Sequence, residues 1–303
     1  MNVEETKQAL LNLLDSGPVD PHLVKRMLTN KLPNISTATE LVANITENFE
    51  ELSDAYGQPF WDIVKGSLTP EVWEHSGVLV NPAVIPETKL DDLYVIADGP
   101  LKTVQDVYAI VTYYGDLDLC VSEGTARVRD VKHPVKVERF GGIIARGETE
   151  IIGNAFGFLQ LEDHSRARVS GRGNIYASDH SFFELVDGSA QITARGQAQF
   201  VISGGTAEIK VENDARGAVL SRGDEYHPLK ITFNGNGVLY IPEIEGPAIQ
   251  FSHISEQGTL IQKPNEGVTE EELMRQIVPR YYRNETAEKR QEATSRTNTQ
   301  KLH

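Results

Sequence analysis

Cysteine is nearly missing: Cys120 stands alone among 303 residues. That excludes an intramolecular disulfide framework and a Cys-x-x-Cys metal clip. No apolar run approaches the ~18 residues that a membrane-spanning helix needs, and a hydrophobic fraction of 39% with a mean hydropathy of −0.34 fits a soluble chain. The opening Met1-Asn2-Val3-Glu4-Glu5 is acidic and lacks the basic-then-apolar order of a signal peptide, so synthesis in a cytoplasm without signal-peptide export is the expectation. The chain has no phosphate-binding GxxxxGK[ST], no HExxH zinc motif and no GxSxG elbow, and Gly235-Asn236-Gly237 lacks the strand and helix that a dinucleotide loop requires. No catalytic, cofactor-binding or metal-ligating residue is assigned.

Positive charge is also scarce. The net charge is −15, and it is unevenly spread. From Arg275 to His303 seven Lys and Arg face three Glu, which leaves −19 on the remaining 274 residues. Nucleic-acid binding rests on neutralising phosphates, so a body this acidic excludes that partner class. The basic tail carries Arg283, Lys289, Arg290, Arg296 and Lys301 and fits an acidic partner, including the body of another copy.

What the chain does have is a repeat of eight. Nine segments fall into register: 147–154, 155–162, 163–170, 171–178, 179–186, 188–195, 196–203, 205–212 and 213–220, with Asp187 and Gly204 as single extra residues. Position one is Gly147, Ala155, Asp163, Gly171, Asp179, Gly188, Gly196, Gly205 and Asn213, mostly turn residues that accept positive φ or bond their own backbone. Position three is small throughout, from Thr149 and Gly157 to Ala207 and Ala215. Position five runs Ile151, Leu159, Ala167, Ile175, Phe183, Ile192, Phe200, Ile209, Gly217, and position seven includes Leu161, Val169, Leu185, Ile202 and Val211. Side chains alternate along a strand, so positions three, five and seven form a core and the mostly polar even positions face out. One such unit cannot bury its own face, and stacked neighbours can. The fold class is therefore mainly β, a parallel β-solenoid over 115–220.

Two units per coil are indicated. Asp163-His164-Ser165 recurs sixteen residues on as Asp179-His180-Ser181, and the extra residues Asp187 and Gly204 lie two units apart, so their bulges stack. Three units per coil is the alternative. Upstream copies around Leu117 to Val121, Ala126 to Val128 and Val135 to Val137 are weaker, and Asp130 and Arg139 break the pattern there. About six to seven coils at ~4.8 Å give a rod of roughly 30 Å. This octad resembles the Gly-Asn-Ala-x-Val-x-Ala repeats of β-solenoid proteins encoded by bacteriophages and some bacteria. The resemblance covers about a third of the chain, and it departs from the consensus where Asp-His-Ser or Gly-Arg-Gly stands for Gly-Asn-Ala. It implies a structural or attachment role, often in a virion, and carries no catalytic residues to transfer.

The flanks read differently. Residues 1–75 form a small helical domain: Ala9 to Leu14 lie in one helix, Asp20-Pro21 opens a second, Ser36-Thr37 caps a third that runs through Phe49, and Phe60, Trp61 and Val64 mark a fourth. Its expected place is the open end of the solenoid, whose pairing edges need a cap. Residues 76–114 read as a mixed connector in which Leu93 to Ala97 is a strand. Residues 221–262 form a β cap, with a hairpin around Asn234-Gly235-Asn236. In 263–303, Thr269 caps a short helix closed by Glu272, and a polar basic tail follows.

Two surface features are candidates for function. Asp163, His164, Asp179 and His180 make a ladder that a metal or acid/base role would use, against the plainer reading that Asp and Ser turn corners and His fills outward slots. Phe156, Phe158, Tyr176 and Phe182 occupy even positions, where they suit a partner protein, a glycan, or cover by the chain's own termini. Together these point to a non-enzymatic virion component of a bacteriophage, made in the bacterial cytoplasm and using the rod as spacer or docking surface, with other proteins of its assembly or further copies of itself as partners, and no nucleic acid, membrane or cofactor. The alternatives are a cytoplasmic bactofilin-like polymerising scaffold and, last, a glycan-binding or glycan-processing protein.

The register makes a sharp demand on stability. Ile192→Asp buries a charge without a partner and should cost about 4 kcal/mol or more, whereas Gln191→Asp, one residue away and outward, should stay within about 0.5 kcal/mol. Equal losses in thermal melts of the two variants would refute the register.

Overall fold

The computed structural model describes residues 2–16, 28–83, 92–103, 110–122, 124–220, 229–242, 249–253 and 257–281. Its centre is a two-flanked parallel solenoid of nineteen strands. The first flank stacks β1 (Val78–Val80), β2 (Asp92–Ala97), β4 (Ile110–Gly115), β6 (Thr125–Arg129), β8 (Gly142–Arg146), β10 (Phe158–Leu161), the second halves of β11 (Arg166–Ala177) and β12 (Phe182–Ala194), β14 (Thr206–Glu212), β16 (Leu229–Asn234) and β18 (Ile249–His253). The second flank stacks β3 (Pro100–Thr103), β5 (Asp118–Val121), β7 (Val135–Val137), β9 (Glu150–Gly153), the first halves of β11 and β12, β13 (Gln199–Ile202), β15 (Arg216–Val219), β17 (Val238–Tyr240) and β19 (Thr259–Ile261). Successive octads thus alternate between flanks, and two make a coil.

The pairing settles the coil length. Leu159 lies beside Ile175, sixteen residues on, and Ile175 lies beside Ile192, seventeen on, because the register shifts after Val169. The extra residues stack as expected: a Cβ on Gly204 would come within 2.2 Å of the Val186 carbonyl oxygen. Positions five fill the interior in two columns. The first flank supplies Leu159, Ile175, Ile192 and Ile209, all buried. The second supplies Ala167, Phe183, Phe200 and Gly217, where the two rings stack at 5.5 Å and a Cβ on Gly217 would meet the Phe200 ring at 2.1 Å. The small ends of that column make room for its large middle, as close packing requires.

The two corners of the coil are chemically distinct. From Asp130 to Asn213, the corner from first to second flank holds one left-handed residue per coil: Asp130, Gly147, Asp163, Asp179, Gly196 and Asn213, with φ between +47° and +64°. Asn and Asp tolerate that region. Their side chains also serve neighbouring corners: Asp163 accepts from the Gly147 amide at 3.2 Å, and Asp130 from the Glu148 amide at 2.9 Å. Asp130 therefore belongs to the pattern that it was expected to break. Thr149 and Ser165, both buried, donate back to the carbonyls of Arg146 and Glu162 at 2.8 Å and close the turn. The opposite corner uses Gly171, Gly188 and Gly205 at φ +124°, +114° and +76°. There a Cβ on Gly188 would lie 1.9 Å from the Gly171 carbonyl oxygen, and one on Gly205 2.2 Å from that of Gly188.

Three expectations need correction. The solenoid extends beyond 115–220: the stretch assigned as a connector supplies β1 to β4, and the stretch assigned as a β cap supplies β16 to β19, all in the same parallel stack. Eleven rungs on the first flank give roughly 48 Å at ~4.8 Å each, not 30 Å. The octads fade there because coil lengths vary; Ile209 pairs with Ile231, twenty-two residues on. Second, there is no hairpin at Asn234-Gly235-Asn236. β16 pairs with β14 and β17 with β15, and Gly235 turns a corner between flanks at φ +113°. Third, the helical domain does not sit on the open end. It packs against the outer side of the first flank, in a cluster where Val78, Ile96 and Tyr114 join Leu41, Phe49, Phe60 and Trp73.

That domain comprises α1 (Val3–Ser16), α2 (Ala38–Thr46), α3 (Phe49–Tyr56), α4 (Gln58–Gly66) and α5 (Pro70–Glu74). Thr37 caps α2 in a full capping box with Glu40; the helix ends at Thr46, so Phe49 opens the next one. The helix expected after Asp20-Pro21 lies, up to Met27, outside the described residues. At the other end α6 (Glu270–Ile277) is capped by Thr269 with Glu272 closing the box, as the sequence indicates.

The contrast between corners is testable. Gly188→Ala adds a methyl into a carbonyl and should cost about 3 kcal/mol or more. Gly196→Asn, at φ +64° with its nearest contact at 3.2 Å, should cost no more than about 1 kcal/mol. Chemical denaturation of both variants reads the difference, and equal losses would show that the corners are not distinct.

Candidate functional site

The outer flanks carry what the rod presents to others, and each is half covered by the chain itself. On the first flank, alternation turns Val78, Val80, Tyr94, Ile96 and Tyr114 outward, so β1, β2 and β4 are apolar on both sides. The helical domain covers them. Phe49 stacks on Tyr94 at 4.7 Å, and Trp61 lies 5.2 Å from Tyr114; burial holds the Tyr114 hydroxyl far above its ordinary range. Further along α3, Glu50 pairs with Arg127 at 2.8 Å and reaches Arg146 at 3.9 Å, and Asp54 pairs with Arg129 at 2.7 Å. One helix thus spans β2, β4, β6 and β8. The rings do most of the holding, since fully burying such side chains is worth about 1.5–3 kcal/mol each, against roughly 0–1 kcal/mol for a partly exposed ion pair.

The second flank is covered at its opposite end. Phe182, Val201, Ala218 and Tyr240, outward on β12, β13, β15 and β17, form a cluster with Leu273, Met274, Ile277 and Val278. Tyr240 hydrogen-bonds Glu270 at the start of α6. Past its end the Arg280 amide donates to Gln199 Oε1 at 3.3 Å, and the Arg280 guanidinium donates to His164 Nδ1 at 2.9 Å. The segment runs back along the rod from β17 to the corner before β11.

The candidate residues therefore separate. Phe182 is buried under the terminal segment, which is cover by the chain itself. Phe156 points into the core: Ala155 lacks the left-handed turn of its column, and the following ring lies against Gly173, where a Cβ would meet it at 2.8 Å. Neither offers a partner surface. Phe158 and Tyr176 remain outward on adjacent rungs with ring centroids 5.6 Å apart, and Tyr176 is 47% exposed. The tail residues Arg283, Lys289, Arg290, Arg296 and Lys301 lie outside the described residues.

The Asp-His-Ser pair comes together as a corner. Asp163 and Asp179 are left-handed turn residues, Ser165 and Ser181 are fully buried, and the His164 and His180 rings sit 5.3 Å apart on the outside. Among the described residues no three His, Cys, Asp or Glu side chains converge as a metal would require. The sequence reading missed Phe140, which is 71% exposed in the turn between β7 and β8. Its signal was spacing: Phe140, Phe158 and Tyr176 are each eighteen residues apart, one coil plus two. It also missed the docking face, although Leu93-Tyr94-Val95-Ile96-Ala97 is an unbroken apolar run of the kind that strands buried on both sides show. Comparison with family models, curated proteins and solved structures finds no match.

The ion pairs at the docking face have a pH signature. Burial raises the Asp54 carboxyl above its usual range, and Arg129 partly offsets this. A carboxyl whose folded pKa is raised favours the fold while protonated, and that contribution is lost as pH rises through the raised value. Arg129→Met removes the offset, so it should lower the melting temperature at pH 7 and do so much less below about pH 4. A loss independent of pH would mean that Arg129 acts through packing alone.

Proposed function

We propose that this protein is a non-enzymatic structural component of a larger assembly, a bacteriophage virion protein, in which the solenoid is a rigid spacer or docking surface. The observation that carries this reading is the arrangement of the covers. A rod of stacked rungs bears a helical domain on one flank at one end and a terminal segment on the other flank at the other end. Such a body fixes the separation and relative orientation of two attachment points. The resemblance of its octads to those of phage-encoded solenoids supports the setting.

A second reading, the polymerising scaffold, is favoured by one observation. Among the described residues the helical domain meets the rod on the outer side of a flank, a side that stacking of rod on rod does not use. At the last rung Leu260 is only partly buried against the core. Electron microscopy separates the two, since copies at fixed positions in a capsid or tail support the first reading and filaments of purified protein the second.

The basic tail supplies the direct test of assembly. Several weak, salt-screened contacts to an acidic partner act together. Truncation after Tyr282 should leave the solenoid's melting temperature unchanged and reduce incorporation into the native assembly, more severely at low salt, where the tail's contacts are least screened. Normal incorporation of the truncated protein would overturn the tail's role.

A further inference from the structure

We propose that Arg280 and His164 form a pH-sensitive latch, closed at about pH 8 and open at about pH 5, that fixes where the C-terminal segment leaves the rod. This goes beyond the structural role proposed above and does not depend on it. α6 is held on the second flank by apolar side chains, with Leu273, Met274, Ile277 and Val278 in one cluster. Past Val278 polar contacts take over beside the partly buried Tyr281 ring. The Arg280 amide donates to Gln199 Oε1 at 3.3 Å, and the Arg280 guanidinium meets His164 Nδ1 at 2.9 Å. His164 is exposed at the corner before β11, and it is the first of the two histidines that recur in Asp-His-Ser. The state of the latch therefore decides whether polar contacts hold the chain to the rod through Arg280 or the apolar cluster alone holds it. Arg283, where the basic tail begins, follows close behind.

The chemistry follows from the donor. A guanidinium donates and cannot accept, so Nδ1 offers its lone pair and the ring proton sits on Nε2. An imidazole is the side chain that changes charge between about pH 5 and pH 8. Proton uptake at Nδ1 removes the acceptor and sets one cation against another, so the contact belongs to the neutral ring and is lost as pH falls. The His180 ring lies 5.3 Å from that of His164 on the next rung, and a proton on it brings a third positive charge to the corner. Arg166 and Arg195 add positive charge on the rod side. The carboxylates around the corner do not replace the lost bond. Asp163 accepts from the Gly147 amide and Asp179 from the Ser178 hydroxyl, while Glu162 is engaged by Arg146 and Gln160. Glu148, one coil earlier in the same column and exposed, softens the repulsion but restores no acceptor on the ring. On the segment itself Glu271 pairs with Arg275, and Glu270 to Glu272 stand at the far end of α6, about 12 Å or more along its axis.

Hydrogen–deuterium exchange of the full-length protein at about pH 5 and about pH 8, read by mass spectrometry and corrected for intrinsic rates, tests this. The Arg280 amide bonds to Gln199 and the Tyr281 amide to the Val278 carbonyl, so both report on the segment. Their protection should fall about fivefold or more from the higher pH to the lower, while that of the paired β11 and β12 amides stays constant. His164→Gln offers a side-chain oxygen at either pH and should remove the dependence. His164→Lys carries a fixed charge and should leave the segment poorly protected at both. The position is an exposed corner, and the β11 and β12 amides together with circular dichroism verify the fold of each variant. Equal protection at the two pH values, an equal fall in His164→Gln, or a segment in His164→Lys as protected as in the unaltered chain would overturn the proposal. The measurement concerns one chain alone, so it stands or fails separately from the assembly role.

Discussion

Over three successive coils the backbone passes a corner where the glycine of one rung lies directly against the carbonyl oxygen of the glycine on the rung before it. Gly188 sits over Gly171, and Gly205 over Gly188, with no room for a Cβ. Parallel stacking at ~4.8 Å leaves this corner no freedom. A side chain would push the rungs apart locally, and the interior columns, the ladder bonds and the stacked bulges at Asp187 and Gly204 all depend on the rungs staying in step. The opposite corner is looser. Its left-handed residues lie where Asn and Asp are comfortable, and their side chains bond to neighbouring corner amides instead of colliding with carbonyls. The solenoid is thus clamped along one edge and laced along the other.

From that frame the placement of the covers follows. A solenoid flank is sealed where its outward positions are apolar, and here this happens twice, on opposite flanks and at opposite ends. Aromatic side chains do the sealing in both places: Tyr94 and Tyr114 meet Phe49 and Trp61 at the start, and Phe182 and Tyr240 meet Leu273, Met274 and Ile277 near the finish. Charged pairs line the edge of the first seal and set its register on the rungs without supplying most of its strength. Between the seals the outward positions are mostly polar, Phe158 and Tyr176 apart, and the rod meets solvent or a partner there.

The fold was legible wherever the chain repeats itself without interruption. The period, the inward columns, the two-unit coil and the stacked extra residues can all be read from 147 to 220. A finer signal was present too: Asp and Asn occupy position one only at alternate units, Asp163, Asp179 and Asn213, which already distinguishes two kinds of corner. Legibility failed where physics allows variation. Coils that carry longer loops keep their pairing while losing their period, which hid the outer rungs. An outward aromatic in an octad gives no information on whether a distant segment will cover it, so Phe182 and Tyr176 look alike in sequence and differ in fate. Phe156 shows a third limit, because its inward turn is decided by the single missing glycine before it. The candidate surface was therefore half legible: two of its four aromatic residues survive, and Phe140 was visible only through the eighteen-residue spacing.

The two seals also set how force and thermal motion travel along the rod. In a stack of repeats each rung holds only its neighbours, so ends fray first. Here α3 straps the rungs from β2 to β8 together, and the segment around α6 straps those from β12 to β17. Each strap turns its rungs into one block that opens together or not at all. The stretch between them, around β10 and β11, is held by the longest pairing of the stack, β11 against β12 through a whole corner, with Arg168 paired to Glu184 and the Phe158 ring beside Tyr176. The rod thus behaves as one stiff body whose middle is bound through the corner itself, and the rungs that lie beyond both straps are the first to open.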